Sequence, residues 1–248
     1  MLSLLIILFL CWGSFLNVIA YRLIREKSIV LPRSACPHCN HIIAWYDNIP
    51  VLSWILLARK CRHCQQPISY LYPFIEIFTA TTLTALWFMV PLYYFPLYFI
   101  FFSALIVTIR SDIETMLISR FVTLYLIPLG VIGSMFGLLP ITMRESMLGC
   151  MLGYLILYFT ALIFQRYSGK DGLGQGDLDA LAFIGSFVGP LGCWISLLAG
   201  SLLGSGIGIV YLLIKRPLDK KIPFGPFLAL GAIGYVLFAQ RIAEFIQL

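Results

Sequence analysis

Apolar residues run through this chain in long uniform stretches, and the polar residues gather between them. Met1–Ala20 is the first apolar stretch, and a polar segment, Tyr21–Tyr72, follows it. Pro73–Val90 and Leu92–Ile109 lie either side of Pro91 as a hairpin. Phe121–Leu139 and Ser146–Phe164 form a second pair. Leu178–Val188 is short, closes on Gly189-Pro190, and has an alternative start at Gly174 or Gly176. Leu191–Ile214 and Phe224–Phe245 complete the series. A helical bilayer crossing takes about 20 predominantly apolar residues. The pattern therefore predicts an all-α polytopic membrane protein with about eight transmembrane helices. Met1–Ala20 has no basic n-region and no small-residue cleavage site, so it reads as a retained helix rather than a signal peptide.

Composition agrees. The 248 residues are 60% hydrophobic and 11% charged, with a mean hydropathy of +0.94. A soluble domain carries about 25% charged residues. One globular core could not hide this much apolar surface, whereas a bilayer accepts it. The net charge is +6, and its placement gives an orientation. With the N-terminus outside, 15 of the 17 basic residues fall in cytoplasmic loops, Arg144 and Arg241 being the exceptions. The positive-inside rule favours that arrangement. The basic loops then face anionic headgroups, and the charge requires no nucleic-acid partner.

Against this background two aspartates stand out. Asp112 follows the third apolar stretch and Asp177 precedes the sixth, within Gly174-Gln175-Gly176-Asp177. They are 65 positions apart, yet the topology puts both at the cytoplasmic ends of helices. A carboxylate near hydrocarbon is costly and usually has a partner or a task. Two that meet share one proton, because like charges about 3 Å apart resist full ionisation. That is aspartic-protease chemistry. Ordinary solvated loop charges would occupy the same positions. Gly174 and Gly176 favour a site, since glycine allows unusual backbone angles and close approach of a substrate strand.

The polar segment holds Cys36-Pro37-His38-Cys39 and Cys61-Arg62-His63-Cys64, two Cys-x-x-Cys pairs with 21 residues between them. Four thiolates so spaced suit a closed tetrahedral zinc site of ribbon or knuckle type. Disulfides or free thiols are the alternative, disfavoured in a reducing cytoplasm. A closed site has no open position for water, so its role is structural, letting a short segment fold without a large core. His38, His41 and His63 read as solvated residues around it. Cys11, Cys150 and Cys193 lie in apolar stretches as small buried residues. The expected division is a first helix over 1–20, a cytoplasmic zinc-binding domain over 21–72, and a seven-helix domain over 73–248.

Other features read as architecture. Gly200, Gly204 and Gly208 form a small-residue stripe for close helix packing in lipid. Glu76 is either a helix-terminal charge or faces a cavity. Glu114 and Asp179 lie two positions beyond the two aspartates, which on a helix turns them about 200° away.

The chain resembles the bacterial type IV prepilin peptidases. The resemblance rests on Gly13-Ser14-Phe15-Leu16-Asn17-Val18, Tyr21-Arg22, the run from Trp45 to Trp54, and the two Cys-x-x-Cys pairs. Pro67-Ile68-Ser69, Tyr72-Pro73 with Glu76, the Gly-x-Gly-Asp string and Pro223-Phe224-Gly225-Pro226-Phe227 extend it nearly end to end. It implies a bifunctional enzyme of the bacterial inner membrane. One activity cuts the basic leader from prepilins or pseudopilins after a glycine, with Asp112 and Asp177 as catalytic residues. The other methylates the new N-terminus with S-adenosylmethionine. No Gly-x-Gly-x-x-Gly string marks a pocket for that methyl donor, and the loop carrying Cys36–Cys64 is the candidate region. The family commonly has an apolar residue before the first aspartate, Pro-Asp some seven positions later, and lysine two residues after the second. Here those positions read Ser111, Ser119-Arg120 and Asp179. From the residues alone, a transporter coupling protons to the aspartates, an assembly protein docking through the cysteine loop, and a peptidase without methyl transfer remain open.

Overall fold

The computed structural model describes residues 2–169, 172–213 and 222–246. Lys170, Lys215, Arg216, Lys220 and Lys221, which entered the charge argument, lie outside the described residues. The chain divides into two compact units, Met1–Phe88 and Met89–Leu248. Among the described residues there are helices, turns and two isolated β-bridges, and no strand longer than a bridge. Among the described residues, six helical stretches are long and apolar enough to cross a membrane.

The first unit begins with α1 (Leu2–Ile24), and α3 (Leu71–Met89) ends at its boundary. Between them lie a 3₁₀ turn at Trp45–Asn48 and the short α2 (Leu52–Leu56). α1 and α3 touch backbone to backbone at Gly13, where a Cβ would stand 2.9 Å from the Glu76 Cα. The Asn17 side-chain amide donates to the Tyr72 carbonyl at 3.2 Å. Arg22 closes the end of α1 by donating to the carbonyls of Ser28, Ile29 and Pro32. Glu76, for which the sequence left two readings, is buried and has a local partner. Its carboxylate accepts from the Val51 N–H at 2.8 Å. Val51 needs that anchor, because a β-branched residue at φ 61° is in a region it rarely adopts.

The second unit holds α4 (Phe95–Thr115), α5 (Ile127–Met135), α6 (Met143–Ser168), α7 (Gln175–Leu213) and α8 (Gly225–Ile246). Pro96 and Pro128 sit in the first turns of α4 and α5, where the missing N–H costs nothing. A capping box starts α6: Glu145 N–H donates to Thr142 Oγ1, and Thr142 N–H donates to the Glu145 carboxylate at 2.7 Å.

α7 is two helices meeting at Gly189, whose φ of 72° and ψ of −175° fall outside the helical region. That combination is open essentially to glycine alone. Pro190 then restarts the helix with its φ already set. Across the break the Cys193 Sγ lies 4.0 Å from the Leu181 carbonyl oxygen. In a straight helix residues twelve apart would be separated by about 18 Å. The chain therefore doubles back, and the arms are the sixth and seventh apolar stretches expected from the sequence. The first arm starts at Gln175, close to the earlier alternative start.

The fourth stretch differs from expectation. Phe121–Leu139 is not one crossing helix. It holds a 3₁₀ turn at Leu124–Leu126 and the nine-residue α5, ended by Gly137 at φ 70°. Arg110, counted with the loop charges, is inside α4 and 1% exposed.

Packing explains the short pieces. The first arm of α7 runs buried from Leu178 to Gly189, so it need not present a full membrane-length face to lipid. Phe101 of α4 stacks on Phe187 at 4.7 Å and meets Phe183 at 5.2 Å. Of the apolar stretches of α1 and α6 only 22% and 17% is buried, and their bare apolar faces suit acyl chains. α6 lies antiparallel on the first arm with glycine against glycine. A Cβ on Gly149 would stand 2.3 Å from the Gly185 carbonyl oxygen, and one on Gly185 2.1 Å from that of Gly149. Nearby, the Ser146 hydroxyl donates to the Ser186 carbonyl at 2.6 Å. The stripe of the second arm packs on α8 at Gly200 and Gly204. Gly149→Val or Gly185→Val should therefore force the helices apart and cost about 3 kcal/mol or more, the upper range of overpacking. Gly206→Ala, where a Cβ meets nothing within 4 Å, should change stability by less than about 0.5 kcal/mol. Thermal unfolding in detergent measures both, and equal melting temperatures would refute the tight crossing.

Candidate active site and metal centre

Asp112 sits in the last turn of α4, and α4 ends where Met116 takes a left-handed conformation. A buried carboxylate needs donors, and Asp112 finds one across 113 positions of sequence. The N–H of Gly225, the first residue of α8, donates to Asp112 Oδ2 at 3.0 Å. That N–H is one of the unsatisfied donors of a helix N-terminus, so Asp112 caps α8 from another helix and meets the positive end of its dipole. Glycine is required there, because a Cβ on Gly225 would stand 2.8 Å from the same oxygen.

Asp177 occupies the first turn of α7. It is half-buried, and the Gly174 N–H is directed at its carboxylate. The two aspartates are close enough for the charge of Asp112 to act on Asp177. Ile118, on the turn after α4, joins the two sides. A Cβ on Gly176 would meet the Ile118 Cβ at 2.9 Å, and one on Gly225 would meet the Ile118 Cδ1 at 3.0 Å. The glycines beside the two aspartates thus close on the same isoleucine.

The neighbouring acids turn elsewhere, as their helical phase predicts. Glu114 pairs with Arg110 one turn earlier. Asp179 faces Arg120 at 3.5 Å and the Gln175 amide at 3.4 Å. Sequence reasoning missed the role of Gly225. The string Pro223–Phe227 carried a resemblance but no chemistry, and only the approach of α8 to α4 supplies it.

The cysteines form the other constellation. The four Sγ atoms of Cys36, Cys39, Cys61 and Cys64 lie within 4.8 Å of one another. Cys36 and Cys64 are 3.8 Å apart, close to the roughly 3.8 Å edge of a tetrahedron with 2.3 Å metal–sulfur bonds. Each pair lies on a knuckle, and the two knuckles are built alike, 25 residues apart. Cys36 N–H donates to the His41 carbonyl and Cys61 N–H to that of Gln66, both at 2.9 Å. Bridges close them at Ala35–Ile42 and Lys60–Pro67. Asn40 and Gln65, each just past its second cysteine, take φ of 55° and 58°. Backbone N–H groups of Cys64 and His63 pull the Cys61 thiol down to about 7, which favours the thiolate a metal needs. The His41 and His63 rings lie 3.4 Å apart, centroid to centroid. Arg62 forms a two-pronged pair with Asp47, at 2.8 and 2.7 Å, and holds its carboxyl below the usual range.

Two family models match the chain. The Bacterial Peptidase A24 N-terminal domain covers residues 7–90 and includes the cysteine knuckles. The Type IV leader peptidase family covers residues 99–209 and includes both aspartates. A prepilin leader peptidase/N-methyltransferase of Aeromonas hydrophila is 33% identical, over 98% of this chain and 92% of its own. The chain belongs to the type IV leader peptidase family. It is also 33% identical to a type 4 prepilin-like proteins leader peptide-processing enzyme of Escherichia coli O78:H11, over 90% and 89% of the two chains. A prepilin leader peptidase/N-methyltransferase of Burkholderia pseudomallei is 32% identical over 94% and 84%. No solved structure matches the chain. Gly225 lies beyond the second matched region, so this leader peptidase family member draws a donor to its buried aspartate from outside it.

The donor geometry can be tested directly. Gly225→Ala must displace either the Asp112 carboxylate or Ile118, and should lower stability by about 1–3 kcal/mol. Gly234→Ala, in open space on the same helix, should leave it unchanged. Thermal unfolding of the two variants side by side decides.

Proposed function

We propose that this protein cuts the basic leader from type IV prepilins or pseudopilins after a glycine, and then methylates the new N-terminus. The observation that carries the peptidase reading is that Gly176, next to Asp177, and Gly225, the donor to Asp112, close on the same Ile118. In this reading one ionised carboxylate takes a proton from water. The water oxygen attacks the scissile carbonyl carbon while the other, protonated carboxyl polarises its oxygen. The proton then passes to the leaving amine as the carbon–nitrogen bond breaks. The pair titrates jointly, so the roles belong to the pair rather than to either residue. Asp177 lies in the first turn of α7, and Asp112 accepts from the first N–H of α8. Asp177 is the more open of the two and gives water and peptide their approach.

The protein is a multi-pass membrane protein, and in this reading its N-terminus is outside and the cysteine knuckles are in the cytoplasm. A prepilin's apolar helix then lies in the bilayer with its leader at the inner surface, beside the ends of α4 and α7. The methyltransferase half draws on the names of the relatives. S-adenosylmethionine is its co-substrate, giving a methyl group to the freed amine as its sulfonium becomes a thioether. Zinc fits the four cysteines in number, spacing and the mutual distances of their sulfurs. With no open coordination position, it would hold the fold of the segment rather than act on substrate.

Purified protein, a prepilin, and S-adenosylmethionine present or absent, read by intact mass, test the proposal. Asp112→Asn and Asp177→Asn should each lower single-turnover cleavage by at least 10²–10⁴-fold, on the order expected for lost acid–base catalysis. Asparagine still accepts from Gly225, so Asp112→Asn should keep its fold. Methylation of a pre-cleaved pilin should survive both changes if the activities use separate sites. Near-normal cleavage by either variant would remove that residue from the site.

Metal content is a separate test. Elemental analysis should find about one zinc per chain. Cobalt(II) in its place should give the strong visible bands of a tetrahedral thiolate site, and Cys39→Ser should abolish them and loosen the segment. Metal-free protein with four reactive thiols would overturn the zinc assignment.

A further inference from the structure

Asp179 is placed where an acid should not be comfortable. Its side chain is 4% exposed. Its Oδ2 is buried and accepts no hydrogen bond among the described residues. The cation facing that oxygen is Arg120, with Nε at 3.5 Å. Arg120 is 64% exposed at its own end, so the pair is asymmetric. Losing the arginine strands a buried charge, the expensive way to break an ion pair, while the arginine itself could live in water.

The position of the pair matters more than its strength. Asp179 is two residues after Asp177, just past the first turn of α7. Arg120 is two residues after Ile118. Ile118 is the side chain on which Gly176 and Gly225 both close. The pair therefore links the turn that carries Ile118 to α7 two residues from Asp177. Gln175 braces the same carboxylate from the other side, donating to Asp179 Oδ1 at 3.4 Å and to the Tyr154 hydroxyl of α6 at 3.2 Å.

We infer that Arg120 and Asp179 form a positioning strap that holds the turn after α4 on the N-terminal end of α7 and fixes the spacing of the two site aspartates. Neither residue performs chemistry. The inference rests on the peptidase reading for its kinetic consequence, though not for its structural one. A displacement of about 1 Å at a reacting pair costs on the order of 100-fold in rate. Loss of the strap therefore acts on kcat.

The test uses the full chain in detergent with a prepilin substrate. Arg120→Gln, Arg120→Asp and Asp179→Arg should each lower kcat about 10–100-fold, with KM within about twofold because no substrate contact is lost. Arg120→Lys should retain most activity. The Arg120→Asp/Asp179→Arg double variant, which reverses the pair, should recover to within about threefold of the parent. Hydrogen exchange in residues 116–123 should quicken in the single variants and slow again in the double, whether or not any variant cuts. If Arg120→Asp does not accumulate, Arg120→Gln against Arg120→Lys decides, Arg120 being exposed enough to tolerate both. Normal kcat in the single variants, a change confined to KM, or a double variant no better than its parents would overturn the strap. A parent protein that leaves prepilin uncut would instead sink the peptidase reading, and hydrogen exchange alone would then judge the strap.

Discussion

Everything at the site depends on one hydrogen bond, from the first N–H of α8 to the buried carboxylate of Asp112. A carboxylate in a near-apolar setting pays a desolvation cost that must be offset locally. A helix terminus offers the means, because its first N–H groups have no partners of their own. The bond thus satisfies two orphans at once. It requires that α8 begin within 3 Å of the end of α4, which leaves no room for a side chain at residue 225. The break at Gly189, the turn carrying Ile118 and the glycine crossing of α6 on α7 all bring helix ends to that place.

Much of this was legible in the sequence. The apolar stretches and the two aspartates stand out because charge is rare in this composition, so each carboxylate is conspicuous. The cysteine pairs are legible because ligand spacing is local. What the sequence hid is what depends on distant segments meeting. Gly225 carries no mark of its partner 113 positions away. Gly149 and Gly185 are single glycines in apolar runs, less visible than the stripe at Gly200, Gly204 and Gly208, yet they make the tighter contact. Phe121–Leu139 reads as a crossing by hydropathy, but Pro128 and Gly137 bound a much shorter helix. Arg120 and Asp179 read as two unrelated departures from the family pattern, and the structure sets them against each other as one pair of opposite charges.

The cysteine segment is ordered with little apolar core. Its two knuckles repeat the same turn, bridge and left-handed residue at a constant offset. The order visible in the segment is that of backbone hydrogen bonds within the knuckles, with hydrophobic burial secondary. Trp45, Tyr46 and Leu56 accordingly remain exposed, where a domain folded around apolar contacts would have drawn them in.

The doubling back at Gly189 has a consequence in parity. A polypeptide threading a membrane arrives on alternate sides with each pass, so every later residue has its side set by the number of passes before it. The stretch from Gln175 to Leu213 would count as one pass if it ran straight, and it counts as two because it folds. That single change of count returns the chain to the side from which Asp177 set out before α8 begins. With a helical residue at position 189, Gly225 would emerge on the opposite side of the bundle from Asp112, and no amount of local packing could bring them together. One backbone angle in the interior thus decides which ends of the helices can be neighbours.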